Sequence, residues 1–254
     1  MELARRDCVF KADTHMHTIA SGHACGTIWE MAKAASSKDL ELIIITDHGP
    51  ALPGGPHKYY FSTLAWLPPV IEGVEVLRGV EANIIDAQGT LDLEDHFLSM
   101  LDWVAVGLHD DCFAPGSRDE NTAALLSVIR SGRADVIVHP GNPRFPIHHR
   151  AFVAALADAG MAMEMNNSSL VSPFRRGSEV NCEELGKLAI EYGVPIVLGS
   201  DAHTPWQVGE INHAYKLAAS CGIQPEQILN FTADGVRKFL AKRGKKRFLT
   251  APAE

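Results

Sequence analysis

Apolar runs of strand length recur along this chain, and most of them stop at a histidine or a carboxylate. The first is built from Cys8, Val9 and Phe10 with Ala12 following, and it ends in Asp13-Thr14-His15-Met16-His17. In extended backbone, residues two apart point to the same side, so both imidazoles reach one point. The run 42–46 is unbroken and β-branched, as expected of a parallel strand covered on both faces, and Asp47-His48-Gly49 follows at once. Later runs close in the same way: 75–80 before Glu81, 103–108 before His109, 135–138 before His139, and 194–199 before Ser200-Asp201-Ala202-His203. One more, 161–165, gives way to Asn166 and Asn167.

Helices are predicted between these runs. Thr27 and Glu30 have capping-box spacing for a helix reaching about Lys38. Short helices are expected over 62–67, ahead of Pro68-Pro69, and over 93–101. Asn121 would cap a helix ending at Gly132. A helix over 149–159 should stop at Gly160, and one capped by Ser178 should run to Tyr192 and close at Gly193. Three more, over 208–220, 225–230 and 235–242, finish the pattern, and the Pro/Gly-rich stretch 50–58 reads as a loop. About seven strand-then-helix units without a compositional break imply an α/β fold with a parallel sheet and right-handed crossovers. Polar groups at the C-terminal ends of successive strands are what the active face of a TIM-like barrel requires.

Composition narrows the function classes. With 254 residues, 46% apolar and 21% charged, the chain suits one barrel with a substantial core. The longest apolar stretches are strand-length, and 1–7 lack a signal-peptide core, so a cytoplasmic protein with no membrane partner is expected. Five scattered cysteines, never as CxxC, argue for reduced thiols. A net charge of −8 argues against a nucleic-acid partner. The basic cluster Lys242, Arg243, Lys245, Lys246 and Arg247 reads as a solvated tail.

Histidine is the outlier, at twelve residues. The strand-end set is His15, His17, His23, His48, Glu81, His109, His139, Asp201 and His203. Imidazole and carboxylate are the ligand set of zinc, and they also suit iron and manganese. Nine such groups exceed the needs of one ion, so two or three ions with a shared carboxylate are expected. His57, His96, His148, His149 and His213 read as ordinary loop or helix residues, although the loop of His57 would overhang the mouth. Asp13 and Asp47, beside ligands, either orient imidazoles from behind or serve as plain strand-end acceptors. Arg176 either binds a substrate phosphate or is a surface residue, Asn142 either lines the mouth or ends a strand, and Glu164 faces an unknown side.

Taken together, HMH at 15–17, TDHG at 46–49, EAN at 81–83, HPGNP at 139–143 and GSDAH at 199–203 resemble the PHP (polymerase and histidinol phosphatase) superfamily. The stretches IASGHA, LRGVEANI, EMNNSS and RRGSEVNC carry the resemblance further, to its YcdX-type phosphatase branch. The resemblance implies a distorted (βα)7 barrel over about 8–242, a tail over 243–254, and one PHP domain spanning 1–254. It implies three divalent ions, zinc foremost with manganese or iron as alternatives. One would be held by His15, His17, Glu81 and Asp201; a second would share Glu81 and add His109 and His139; a third would use His23, His48 and His203. The activity implied is hydrolysis of a small phosphorylated metabolite, a phosphomonoester, by metal-bound hydroxide, with Arg176, His57 and Asn142 near the substrate. A histidinol-phosphate phosphatase, a phosphodiesterase or exonuclease, and a non-catalytic metal-stabilised scaffold are the competing readings. A homo-oligomer is left open. The absence of a Gly-x-Ser-x-Gly elbow and of a P-loop disfavours serine chemistry and nucleotide triphosphate binding.

Overall fold

The computed structural model describes residues 10–249. Cys8 and Val9 of the first apolar run, the 1–7 stretch read for a signal sequence, and 250–254 of the expected tail lie outside the described residues. Among the described residues the strands are β1 (Ala12–Asp13), β2 (Leu42–Ile45), β3 (Val70–Ile71), β4 (Val74–Asn83), β5 (Trp103–Gly107), β6 (Val136–Ile137), β7 (Ala162–Asn166) and β8 (Ile196–Gly199). The helices are α1 (Ile28–Ser37), α2 (Tyr59–Thr63), α3 (Asp95–Leu98), α4 (Arg118–Ser131), α5 (His149–Ala159), α6 (Ser168–Val171), α7 (Ser178–Tyr192), α8 (Asn212–Cys221) and α9 (Ala233–Lys242). The sheet order is β1-β2-β4-β5-β6-β7-β8, every neighbour pair parallel, with the short β3 antiparallel on β4.

Seven parallel strands nearly close into a TIM-like barrel, and the seam between β8 and β1 explains the distortion. At the C-terminal end of the strands a parallel bridge joins Met16 to Ala202, and the His17 N–H donates to the Ala202 carbonyl at 2.8 Å. At the opposite end the buried Asn230 amide replaces a ladder. It donates to the Ala12 and Leu198 carbonyls at 2.9 and 2.8 Å and accepts from the Leu198 N–H at 2.9 Å.

Alternation along each strand sorts the lumen into layers. The lower layer is apolar: Ala12, Leu42, Ile44, Leu77, Trp103, Val136, Ala162 and Val197 pack with Val236, Phe239 and Leu240 of α9. Helix α9 therefore plugs the N-terminal end of the barrel, with the Phe239 ring edge-on to Trp103 at 6.0 Å. The same inward parity carries upward to Glu81 on β4, Gly107 on β5, Glu164 on β7 and Gly199 on β8. Outside the barrel Val80, Val104 and Val106 pack against Leu125 and Val128 of α4 and Phe152 of α5.

Several boundaries differ from the sequence expectation. β4 begins in a hairpin whose Glu72-Gly73 turn has positive φ at both residues (53° and 80°), the geometry of a tight two-residue turn. It runs past Glu81 to Asn83, so Glu81 sits inside the strand rather than beyond it. The short helix expected over 62–67 forms earlier, as α2 followed by a 3-10 turn Leu64–Trp66. α3 is a single turn. α4 starts one turn before Asn121, because Ser117 and Glu120 make the capping box, while Asn121 instead binds the Gly116 and Pro146 carbonyls. Gly177, at φ 96°, caps α7, and the Ser178 hydroxyl donates back to the Arg175 carbonyl. The helix expected over 208–220 forms later, as α8. That over 225–230 is two 3-10 turns.

The basic segment after α9 is not a solvated tail. Lys245 and Arg243 pair with the buried Asp135 at 2.7 and 3.4 Å, and Arg247 reaches Asp102 at 2.8 Å and Glu75 at 3.3 Å. Carboxylates buried at the N-terminal ends of β5 and β6 need cations, and this segment brings them. Cys25, Cys112, Cys182 and Cys221 are free thiols. No helix among the described residues is long and apolar enough to cross a membrane.

Candidate metal centre

Glu81 is the hub of the polar end of the barrel. Its side chain is 1% exposed, and its two oxygens face different histidines. Oε1 lies 2.7 Å from His139 Nε2 and 3.0 Å from His109 Nε2. Oε2 lies 3.0 Å from His48 Nδ1, 3.2 Å from His15 Nε2 and 3.3 Å from His17 Nε2. Asp201 Oδ1 closes the second side at 3.2 Å from His17 Nε2. Toward solvent, His23 Nε2 and His203 Nε2 approach to 3.0 Å, and the His23 ring stacks on His48. All nine strand-end groups of the sequence analysis therefore converge on one volume.

Two backbone devices allow the convergence. His139 and Asp201 both adopt left-handed backbone, with φ of 35° and 56°, which turns their side chains over the lumen. Such strain in L residues persists only where surrounding contacts enforce it, and it concentrates at functional sites. Glycine supplies the space. A Cβ on Gly107 would lie 2.8 Å from the His139 ring and 3.1 Å from Glu81 Oε1. One on Gly199 would lie 1.9 Å from Glu164 Oε1.

The electrostatics ask for positive charge. Burial opposes ionisation of Glu81, yet His48, His109 and His15 hold its carboxyl well below the usual range. Asp201 is likewise held well down against its burial, by His15 and Arg175. Burial works against a charged His15, but Glu164, Glu81 and Asp201 together push its imidazolium well above the ordinary value. The other imidazoles tend to neutrality: burial lowers His17 and His48, and burial with Arg175 nearby lowers His139 to about 4. Neutral imidazoles offer lone pairs, and Glu81, Asp201 and Glu164 crowd negative charge around them with Arg175 as the permanent cation in contact.

Divalent ions fit this arrangement. His48 Nδ1 and His109 Nε2 are buried and lie 3.0 Å from Glu81 oxygens, yet neither makes a hydrogen bond. Buried ring nitrogens without hydrogen-bond partners need another acceptor of their lone pairs or donor of charge. Three donor groups have ligand atoms within 4.8 Å of one another: His15, His17 and Asp201; His48, Glu81 and His109; and His17, His48 and His203. These groups share His17 and His48, whereas the family resemblance assigns each of those to a single ion. The donors are nitrogen and carboxylate oxygen, the set expected for zinc, iron or manganese.

A second layer holds these groups. Asp47 touches no imidazole; it accepts from Thr18 N–H, the Thr18 and Ser21 hydroxyls and the Tyr60 hydroxyl (2.5 Å). Ser21 Oγ in turn lies 3.3 Å from His17 Nδ1 and accepts from the His48 N–H. Asp13 accepts the backbone N–H groups of His15, Ser200 and Gly209, so it ties the first strand end to the last. Glu164 accepts from His15 Nδ1 at 2.7 Å and from the His139 N–H at 2.9 Å.

The cluster opens into a cleft of about 540 Å³ lined in part by Asn142, Arg144, Phe174 and Arg175. Arg176 is exposed, and its neighbour Arg175 is the arginine that reaches the cluster, 2.9 Å from Asp201 Oδ2. His57 is exposed, packs on Tyr59, and lines a separate cleft with Asp92 and Glu94. His148 pairs with Asp119 and His149 with Glu184, at the start of α5, and His96 and His213 sit in α3 and α8, all apart from the cluster. Asn166 donates to Glu164 and Asp201, while Asn167 caps α8 through the His213 and Ala214 N–H groups. Sequence reasoning left the direction of Glu164 open and missed Ser21, Tyr60 and Arg175. For Glu164 the inward parity with Ala162 was a usable signal, but a strand buried on both faces hides which parity is inward.

Comparison with known proteins gives a consistent result. The profile of the PHP domain matches 13–137, and that of a PHP-associated region matches 181–216. A probable phosphatase of Caldanaerobacter subterraneus subsp. tengcongensis is 47% identical over 92% of this chain and 92% of its own length. One of Acetivibrio thermocellus is 43% identical over 94% and 98%. Among solved structures, a histidinol phosphate phosphatase of Lactococcus lactis, complexed with zinc, L-histidinol and phosphate, superposes with a TM-score of 0.59 at 17% identity, covering 84% of this chain and 94% of that one.

Proposed function

The chain belongs to the PHP domain family, and from that premise we propose that it is a metal-dependent phosphatase that hydrolyses small phosphomonoesters. The observation that carries this reading is the placement of Glu81, one carboxylate with each oxygen turned to a different set of histidines. His15, His17, Glu81 and Asp201 would hold one ion, Glu81, His109 and His139 a second, and His23, His48 and His203 a third, zinc being the first candidate. Divalent ions in such a site acidify water near neutral pH and offset the charge that develops on a phosphoryl group.

The chain's own residues do the rest. Burial of Glu81, His15 and His17 keeps bulk water from competing for the ligand atoms. Arg175 spends one N–H on Asp201 and lines the cleft, where its planar guanidinium suits the non-bridging oxygens of a phosphate. It takes the role first expected of Arg176. Asn142 lines the same cleft and offers its amide to the substrate, whereas His57 lines the neighbouring cleft with Asp92 and Glu94. Asp47, through Ser21, and Asp13, through backbone N–H groups, keep the ligand-bearing loops in register.

The test is to purify the full chain, measure its metal content, and assay a nitrophenyl phosphate monoester beside the corresponding diester. Monoester hydrolysis that falls on chelation and returns with divalent metal is expected. Hydrolysis of neither ester with ions bound, or of the diester alone, would overturn the reading.

A further inference from the structure

Glu164 is a fully buried carboxylate, 2% exposed, on the inward face of β7. No Lys or Arg pairs with it among the described residues, and its one ion-pair partner is His15. Its two oxygens divide between the two sides of the cluster. Oε1 meets His15 Nδ1 at 2.7 Å, and Oε2 accepts the His139 N–H at 2.9 Å and an Asn166 amide N–H at 3.1 Å. The far ring nitrogen of His15, Nε2, faces Glu81, and so does His139 Nε2, whose ring hangs from the backbone N–H that Glu164 holds.

A ring that donates Nδ1–H to a carboxylate keeps Nε2 bare and more basic. A backbone N–H fixed by the same carboxylate helps hold His139 at φ 35°, a conformation L residues rarely adopt. The position is also kept clear on the β8 side, since any side chain at Gly199 would strike Glu164 Oε1 and the His15 Cβ. Three donors converge on this side chain, which a carboxylate accepts and an amide of the same shape cannot: its NH2 would face a second donor.

We propose that Glu164 is a positioning residue that sets the His15 tautomer and the His139 backbone together, so that both rings present Nε2 to the Glu81 side of the metal cluster. This rests on the metal reading above.

The experiment compares wild type with Glu164→Gln, both loaded with zinc, by bound-ion count, by ion affinity against a competing chelator, and by imidazole nitrogen NMR. Wild type should show His15 with a protonated, exchange-protected Nδ1, the signal being identified by its loss in His15→Asn. Glu164→Gln should keep the circular dichroism of wild type, lose that protected proton, and bind at least one ion roughly 10- to 100-fold more weakly. If the variant does not fold, the wild-type spectrum still decides: a bare Nδ1 on His15 overturns the proposal. Equal affinities and an unchanged His15 signal overturn it while leaving the metal reading standing. A wild type that binds no ion overturns both.

Discussion

Glu81 and Arg175 show how single side chains divide the work of the site. Replacing Glu81 with Gln keeps shape but removes the charge shared by two sets of imidazoles. Turnover should fall roughly 100- to 1,000-fold while circular dichroism is unchanged; wild-type kcat would remove Glu81 from its hub role. Arg175→Ala should chiefly raise KM, and Arg176→Ala should leave both constants alone, because of these two residues Arg175 is the one that lines the cleft. Steady-state kinetics on the two variants checks this. The histidines were legible in the sequence because strand ends are marked by where apolar runs stop. The choice between two adjacent arginines was not, since it depends on the 3-10 turn Pro173–Arg175 and on Gly177 at φ 96°.

Among the elements, α9 and the glycine-bearing strand ends have opposite sensitivities. Phe239 is buried against Trp103 at the floor of the barrel. Phe239→Ala should cost about 3–5 kcal/mol of stability by leaving a cavity, with kcat little changed at low temperature; urea unfolding and kinetics measure the two. Gly199→Ala should instead lower metal content, since its Cβ would lie 1.9 Å from Glu164 Oε1. Elemental analysis of the purified variant checks it. Caps written in local sequence, such as Thr27 with Glu30 and Gly160 after α5, appear where expected. The Asn121 cap did not, because the box at Ser117 and Glu120 lies one turn upstream and satisfies more donors. The period-2 signal of β7 was masked because both of its faces are buried.

For the whole molecule, closure depends on contacts between the two ends of the chain. Asn230 stitches β8 to β1, and the 243–247 segment neutralises carboxylates under the barrel. Burial opposes ionisation of Asp102, but Arg78 and Arg247 hold its carboxyl below the ordinary 3.8. A depressed carboxylate stabilises the fold above its unfolded pKa, and that contribution fades as pH falls through the folded value. Asp102→Asn should therefore cost about 2 kcal/mol near neutral pH. The gap from wild type should narrow as pH drops below 3.8, as followed by urea unfolding. What the sequence determined by itself was the alternation of strands and helices, the polar residues at strand ends and the ligand chemistry, because hydrophobic period and residue type are local properties. The tertiary structure alone decided the direction of Glu164, which of the two arginines reaches the cluster, the pairing of the basic segment and the sealing of the barrel by Asn230. Each of those is a contact between residues far apart in the chain, and its partner is fixed only once the sheet has curved far enough to bring the two together.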